Sequence, residues 1–512
     1  MSDIRKVVVF FWNMTLRVIY YVRQKLRLLP FRRSIQVKEL LRKRAEATSF
    51  EEWFMASKQL DIVRGKEDWK REERSSLYDF HLLKSRTLRL TELGTDSQSL
   101  MFLLRTGLLR NLGGLSNPKL FQKTHCETKE LIKNYIESVL KNLEHIHQSN
   151  IPENEEFFRD MLQGFGRTAL VMTGGASFAM FHLGVAKALI DRKMLPRIIC
   201  GTSVGSLAAA LICIHDDEEL IDIFQNNSLN FDAFKSKPTS GSIRRKITRF
   251  LEHGYLLDIK ILENFVSENV GDLTFLEAFE KTRRVLNITL KTNETKVPMI
   301  FNYLTAPNVL IRSAVCVASG SFGLFGRSSL LMKGKDGEII QWSAGNLKWS
   351  ESSHLPTKKL TQLFNVNNFI TSQVSPSVLF LDKPDNRYKT IRRIIKFIGS
   401  EIAHRISQLY SIGLIPEFFT NFKKVFEKTH GDIHIIPDIA IRDYLSVLSN
   451  PTAELVKSCI LKGEQAAWPH ICHIWVRSAI ELKLDQLINL QKSRKSAIKD
   501  IQVIRRRAQT VQ

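Results

Sequence analysis

An α/β fold is what the sequence predicts, on three observations. A short apolar, partly β-branched run, Thr168–Met172, stops at Thr173-Gly174-Gly175 and gives way directly to a helical pattern of Phe178, Phe181, Leu183, Val185 and Leu189. A second strand-like run, Arg197–Cys200, enters Gly201-Thr202-Ser203-Val204-Gly205 and then the small-residue helical stretch Ser206–Leu211. On both sides of this region the pattern is largely helical, over residues 37–157 and 383–491.

The chemistry follows from where the glycines stand. The first N–H groups of a helix lack intrahelical acceptors and carry the positive end of its dipole, so the Gly174-Gly175 turn can stabilise an oxyanion or a phosphate. G-x-S-x-G between a strand and a helix is the context of a nucleophile elbow. Gly201 and Gly205 allow a turn too tight for a Cβ on either flank, which leaves the Ser203 hydroxyl projecting from the sheet. Alone, each half is a weak signal, and turn glycines account equally well for Gly174-Gly175. Standing 29 positions apart with a helix and a strand between them, Gly174 and Ser203 read together as a serine acyl-transfer site.

The remaining elements fall into order around this centre. The chain has 512 residues, 44% hydrophobic and 25% charged, an ordinary globular composition. Its 75 Lys and Arg against 52 Asp and Glu, a net +23, are not ordinary. Basic residues gather in the first 45 positions, at Arg244–Arg249, at Arg387–Lys396 and after Lys492. No helix-turn-helix, zinc-finger or aromatic-basic pattern accompanies them, so the expected partner is an anionic lipid surface rather than nucleic acid. Protein partners are not legible.

Residues 1–36 contain Val7–Val22, apolar but interrupted by Asn13 and Arg17, and shorter than the roughly 20 residues of a membrane span. No small-residue cleavage site follows, so no secretory leader is expected. Phe10, Phe11, Trp12, Tyr20 and Tyr21, backed by Arg23, Lys25, Arg27, Arg32 and Arg33, suit a segment lying in a membrane or droplet interface; a buried amphipathic helix is the alternative. Residues 37–157 read as a helical domain broken at Ser116-Asn117-Pro118, with charge runs such as Gly65–Arg74 as solvated faces.

The α/β domain is expected over 158–382. Past the elbow it continues through a helical stretch, Glu218–Lys235, and a polar loop, Ser236–Ser242. His253 and Asp258 then form H-x4-D, the spacing by which a carboxylate orients a histidine base toward an acceptor hydroxyl. The plainer reading makes Asp258 the cap of the helix that follows.

In residues 383–491, Ile391, Ile394, Ile395, Ile398, Ile402, Ile406 and Leu409 recur at helical spacing with Arg392, Arg393, Lys396 and Arg405 between them. Such a helix can lie on a bilayer or pack on the core. Gly431–Gln491 reads as a short strand pair and two helices. The tail, 492–512, reads as disordered or as an electrostatic anchor. The six cysteines show no C-x-x-C and read as free thiols of a reducing compartment; His470 and His473 read as helix packing. No metal and no cofactor is expected.

The segments GGASFAMFHLGVAKAL and GTSVGSLAAAL resemble patatin-like phospholipases, in particular the fungal and plant branch of patatin-like triacylglycerol lipases. The likeness continues through SFEEW, LDIVRGKEDWK, LYDFHLLKSR and LLRNLGGLSNPKLF upstream, and through Leu363–Val378 and Gly431–Ile471 downstream, covering about residues 38 to 490. It implies a three-layer patatin-like hydrolase fold with an N-terminal helical region and C-terminal helices. It also implies a Ser–Asp dyad without histidine, acting on neutral glycerolipid or phospholipid esters; with the basic charge, the expected location is a lipid droplet or the cytosolic face of the endoplasmic reticulum. Ser203 takes the place of the nucleophile.

The family aspartate belongs to an Asp-Gly pair ahead of a Leu-Pro. Leu355-Pro356 is present, but counting back from it places Lys348 at the aspartate, Trp349 at the glycine, and His354 where a further acidic residue is usual. A shifted register offers only Ala344-Gly345, and Ser319–Phe325 lacks the usual proline. The base is then to be sought in Asp336, which begins the only Asp-Gly of this region, in Glu351, or in His354. The alternatives are a catalytically weak or inactive protein acting at the lipid surface, a lysophospholipid acyltransferase using His253 and Asp258, or a locally altered gene model.

Overall fold

A computed structural model describes residues 35–94, 96–149, 154–174, 179–226, 259–292, 299–319, 328–342, 349–351, 356–374, 431–438 and 453–509, with isolated residues between 397 and 412. The expected interfacial segment, the loop Ser236–Ser242 and most of the basic helix around Ile391–Leu409 lie outside these residues.

The amino-terminal region is helical because its sequence caps and patterns itself that way. Residues 35–46 form α1. Ser49 opens α2 (Phe50–Val63): its hydroxyl accepts from the Glu52 N–H at 3.3 Å, and the Glu52 carboxylate accepts from the Thr48 N–H at 2.9 Å. After α3 (Glu67–Arg71), Asp79 and Asp96 cap α4 (Phe80–Glu92) and α5 (Ser97–Gly107) in the same manner, and the short α6 (Pro118–Phe121) starts at the predicted break. In α7 (Glu130–Gln148), Leu131, Ile132, Tyr135, Ile136, Val139, Leu143 and Ile146 follow three- and four-residue spacing and all are buried. They pack with Phe157, Phe158 and Leu162 of α8 (Asn154–Phe165), and with Val476, Ile480, Leu484 and Leu487 from near the carboxy terminus.

The α/β region then runs β1 (Arg167–Gly174), α9 (Met180–Asp191), β2 (Ile198–Thr202), α10 (Gly205–Ile214), α11 (Asp217–Asn226), α12 (Ile259–Val270) and α13 (Phe275–Thr282). It continues through β3 (Val285–Thr292), β4 (Met299–Phe301), α14 (Ile311–Ser319), β5 (Leu331–Lys333), β6 (Ile339–Gln341) and β7 (Trp349–Glu351). Last come α15 (Thr357–Phe364), β8 (Val366–Val374), β9 (Ile433–Ile435), α16 (Ala453–Ala467) and α17 (Ile471–Gln509).

The main sheet has the order β4-β3-β2-β1-β8-β9. Its pairs are parallel except that β4 and β7 run antiparallel to β3, and β5 and β6 form a separate hairpin. Alternation along β1 sends Leu170 and Met172 into a core shared with α9, α10 and α16, and Ala169 and Val171 into a second core with Leu360 of α15 and Val366. Helices thus cover both faces of the sheet, which is a three-layer α/β fold with helical regions at both ends.

Two expectations change. The strand pair expected near Gly431 is, among the described residues, one strand: β9 joins the main sheet beside β8. The helix expected to close the domain near Gln491 continues through the tail to Gln509 as part of α17.

The same helix ties the two regions together. Arg110, in the turn after α5, donates through Nη2 to Glu481 of α17 at 3.0 Å and to the Gly166 carbonyl at 2.8 Å, and through Nη1 to the Thr168 hydroxyl at 3.2 Å. The other Glu481 oxygen accepts from the Thr168 N–H at 2.7 Å. Arg110 and Glu481 are both buried. Breaking such a pair from one side leaves an uncompensated charge, which destabilises by about 3–5 kcal/mol. Arg110→Ala is therefore expected to lower the urea midpoint of both the helical and the α/β signals together; a shift confined to one of them would contradict this shared knot.

Candidate active site

Ser203 stands where β2 stops and α10 begins. Ile198, Ile199 and Cys200 bury β2 in the middle of the sheet, and Leu207, Ala208 and Leu211 bury α10 immediately after it. Between them Ser203 has φ +55°, a left-handed conformation that a non-glycine residue adopts only when its surroundings impose it. Its carbonyl accepts from the Ser206 N–H at 3.0 Å and the Val204 carbonyl from the Leu207 N–H at 3.1 Å, so the helix starts within one residue of the turn. Ser203 is half-buried while Thr202 and Val204–Leu207 are buried. The side chain that leaves the sheet is the serine.

The two flanking glycines are required by close approach. A Cβ on Gly205 would lie 2.5 Å from the Met172 carbonyl oxygen of β1, and one on Gly201 would press on the Ser206 backbone, 2.8 Å from its nitrogen. Both obstacles are backbone and cannot swing aside.

The end of β1 lies beside the elbow. Thr173 is in register with Thr202, and the strand finishes at Gly174 with φ +74°. Gly175 lies outside the described residues. Directly on this part of the sheet sits His182 of α9, fully buried, with Nδ1 2.7 Å from the Ser372 hydroxyl of β8 and no described partner for Nε2. Burial pushes its pKa down to about 4, against an opposing pull from the Gly174 and Thr173 backbone, so the imidazole is neutral. Nothing in the sequence singled out His182, since one histidine in an apolar helix carries no spacing signal.

The other expected site residues are distributed unevenly. Asp336 is exposed in the turn between β5 and β6, its N–H donating to the Glu338 carboxylate at 3.1 Å. That hairpin is tied to Asn308, Leu310 and Ser313 at the start of α14, and through Lys333 to Glu277 of α13 at 2.8 Å. None of these ties involves the elbow. His253, Asp258, Lys348 and His354 lie outside the described residues. Of Glu351 the backbone is described, in β7.

Among the described residues no group of three His, Cys, Asp or Glu side chains could hold a metal ion. Burial pushes the thiols of Cys200, Cys213 and Cys316 up to about 12, which keeps them protonated.

Residues 170–345 match the family described as patatin-like phospholipase, and residues 31–165 match the domain of unknown function DUF3336. Triacylglycerol lipase 5 and triacylglycerol lipase 4 of Saccharomyces cerevisiae are 32% and 34% identical, over 90% and 91% of this chain. The chain spans 66% and 54% of their lengths. Triacylglycerol lipase ptl3 of Schizosaccharomyces pombe is 30% identical over 88% of this chain and 98% of its own.

The chain belongs to the patatin-like phospholipase family, in its triacylglycerol lipase branch. In this patatin-like chain the elbow keeps its geometry while the usual Asp-Gly before Leu355-Pro356 is absent. The register of β7 places its backbone next to the end of β2 in the sheet. Leu290 of β3 pairs with Met299 of β4 on one side and with Glu351 of β7 on the other. β2 pairs with β3 only as far as Gly201 opposite Ile288, on the side that β7 uses. The Trp349–Glu351 backbone therefore continues the lane that the chain vacates at Ser203. In the sequence Asp336, Glu351 and His354 are all candidates, because nothing local reveals which strand edge Glu351 joins.

Proposed function

We propose that this patatin-like protein is a serine acyl hydrolase that releases fatty acid from glycerolipids, triacylglycerol first and phospholipid second. The observation that carries the reading is Ser203, at φ +55° on the β2–α10 turn, beside the Gly174 end of β1. Its hydroxyl attacks the ester carbonyl, forming a tetrahedral oxyanion. N–H groups of the Gly174-Gly175 turn and of the α10 amino end stabilise that charge, an effect of about 3–4 kcal/mol per donor in comparable sites. The alcohol leaves with a proton, and water then cleaves the acyl-enzyme to fatty acid.

The serine needs a base, and the β7 register favours Glu351 over Asp336. Glu351→Gln is expected to lower turnover about 10²-fold or more, while Asp336→Asn leaves it unchanged. Comparable rates for the two variants would count against this assignment.

A catalytically weak protein acting at the lipid surface is the second reading, favoured by Lys348 at the usual aspartate position. Acyl transfer through His253 and Asp258 is a third. We place the protein at a lipid droplet or the cytosolic face of the endoplasmic reticulum, on the strength of its +23 charge and the aromatic, basic Val7–Arg33 stretch. No described helix is long and apolar enough to cross a membrane. The decisive experiment combines labelled fatty-acid release from triolein and from phosphatidylcholine with fluorophosphonate labelling located by peptide mapping. Adduct on Ser203 together with release from triolein supports the hydrolase; background rates on both lipids and no adduct overturn it.

A further inference from the structure

Far from the elbow in sequence, α1 and the end of α2 bring two guanidinium groups together around His125, in the loop before α7. The Nη1 of Arg44 lies 2.8 Å from His125 Nδ1, and the Nη1 of Arg64 lies 2.8 Å from His125 Nε2. Two guanidinium groups thus address the two nitrogens of one ring. A neutral imidazole has one acceptor nitrogen and one N–H, and a protonated imidazole has no acceptor at all. In every protonation state at least one guanidinium faces a donor.

The nearby carboxylate does not relieve this. Asp61 is fully buried and already engaged: it accepts from the His125 backbone N–H at 2.9 Å and pairs with Lys70 at 3.0 Å. Neither Arg44 nor Arg64 has an ion-pair partner among the described residues. Each stands at a helix carboxy end, Arg44 in the last turn of α1 and Arg64 just past α2, where the dipole favours a cation without using any of its N–H donors. Burial and the Arg44 charge push the His125 pKa down to about 4, so the ring itself contributes no compensating group. The result is a pair of positive, hydrogen-bond-rich groups one imidazole apart, which share the single acceptor nitrogen of that ring.

We propose that Arg44, Arg64 and His125 form a binding site for a phosphate group, presented either by the headgroup of an anionic glycerolipid or by free phosphate. Guanidinium forks match phosphate oxygens in geometry and charge, and the oxygens supply the acceptors that the ring cannot. Lys66 adds a further positive charge acting on His125. In sequence α1 follows directly on the aromatic and basic stretch ending at Arg33, which favours the lipid source. The site is separate from Ser203 and stands or falls independently of the acyl-transfer reading.

The test uses the full chain in three forms: wild type, Arg44→Gln/Arg64→Gln, and the charge-matched control Arg42→Gln/Lys43→Gln on the exposed face of α1. Inorganic phosphate, added at constant ionic strength, is expected to raise the melting temperature of wild type and control by about 2 °C or more and not that of Arg44→Gln/Arg64→Gln. On phosphatidylcholine vesicles containing phosphatidic acid, the Arg44/Arg64 pair is expected to bind about fivefold more weakly or worse, with the control changed by less than about twofold. A phosphate shift without the vesicle difference also supports the site and makes free phosphate its ligand. A vesicle difference without the shift assigns it to lipid. Equal losses in both double variants, or no phosphate response in wild type and no vesicle difference, overturn it. Arg64→Gln alone changes an exposed side chain and provides the same comparison if the double variant does not fold.

Discussion

Ser203→Ala is expected to abolish fatty-acid release from triolein, by about 10³-fold or more, and to leave the melting temperature where it was. Gly205→Ala is expected to lower both. The contrast follows from where each atom goes. The Ser203 hydroxyl leaves a half-buried residue at the surface of the turn, so its loss opens no cavity in the core. The alanine methyl at Gly205 would sit 2.5 Å from the Met172 carbonyl oxygen, between the central strand β1 and the first turn of α10. Overpacking of this kind destabilises by about 1–3 kcal/mol, and the shift that relieves it moves the nucleophile. A misplacement of about 1 Å is worth roughly 10²-fold in rate. Thermal melts and triolein assays on the two variants separate these effects. If Ser203→Ala keeps more than about a tenth of wild-type release, Ser203 is not the nucleophile, whatever the elbow looks like. If Gly205→Ala melts and reacts like wild type, the tight contact with β1 is not what holds the serine in place.

What could be read in the sequence was what is local in it. The strand, glycine turn and helix around Ser203 lie within a few consecutive residues, and the observed β1, α9, β2 and α10 match the expected runs to within two or three positions. What could not be read depends on pairings across long separations. His182 meets Ser372 190 positions away, α17 returns to finish the core of the first helices, and β9 adds to β8 rather than to a strand of its own neighbourhood. No local signal separates the candidate bases, for the same reason. Asp336-Gly337 attracted attention as an Asp-Gly, yet that dipeptide is equally the signal of a tight hairpin turn, and here it occupies one, with Gly337 at φ +82°. Glu351 carries no local mark, and its place in the sheet depends on the pairing of β7 with Leu290, across the strand from Met299.

Acid is expected to destabilise this protein from about pH 6.5 downward, because buried histidines, His182 and His473 among them, must stay neutral for it to fold. His182 and His473 are both buried, with pKa values pushed down from 6.5 to about 4 and about 3, chiefly by burial and, for His473, next by Arg477. Above pH 6.5 both states hold these rings neutral and the full stability is present. As pH falls below 6.5 the unfolded chain takes up protons that the folded chain refuses, so stability declines until the folded values are reached. By pH 4.5 the two together remove roughly 5 kcal/mol, on a scale where whole domains have about 5–15. His473 allows the cause to be isolated. Its ring stacks on Phe121 at 4.2 Å, and its Nε2 has no described partner, so His473→Phe keeps the packing and deletes the titration. Urea midpoints measured from pH 7 to 4.5 should fall steeply for wild type. For His473→Phe the slope is expected to be shallower by about 1.4 kcal/mol per pH unit, with little difference at pH 7. Parallel slopes for the two proteins would mean that His473 is not kept neutral by the fold.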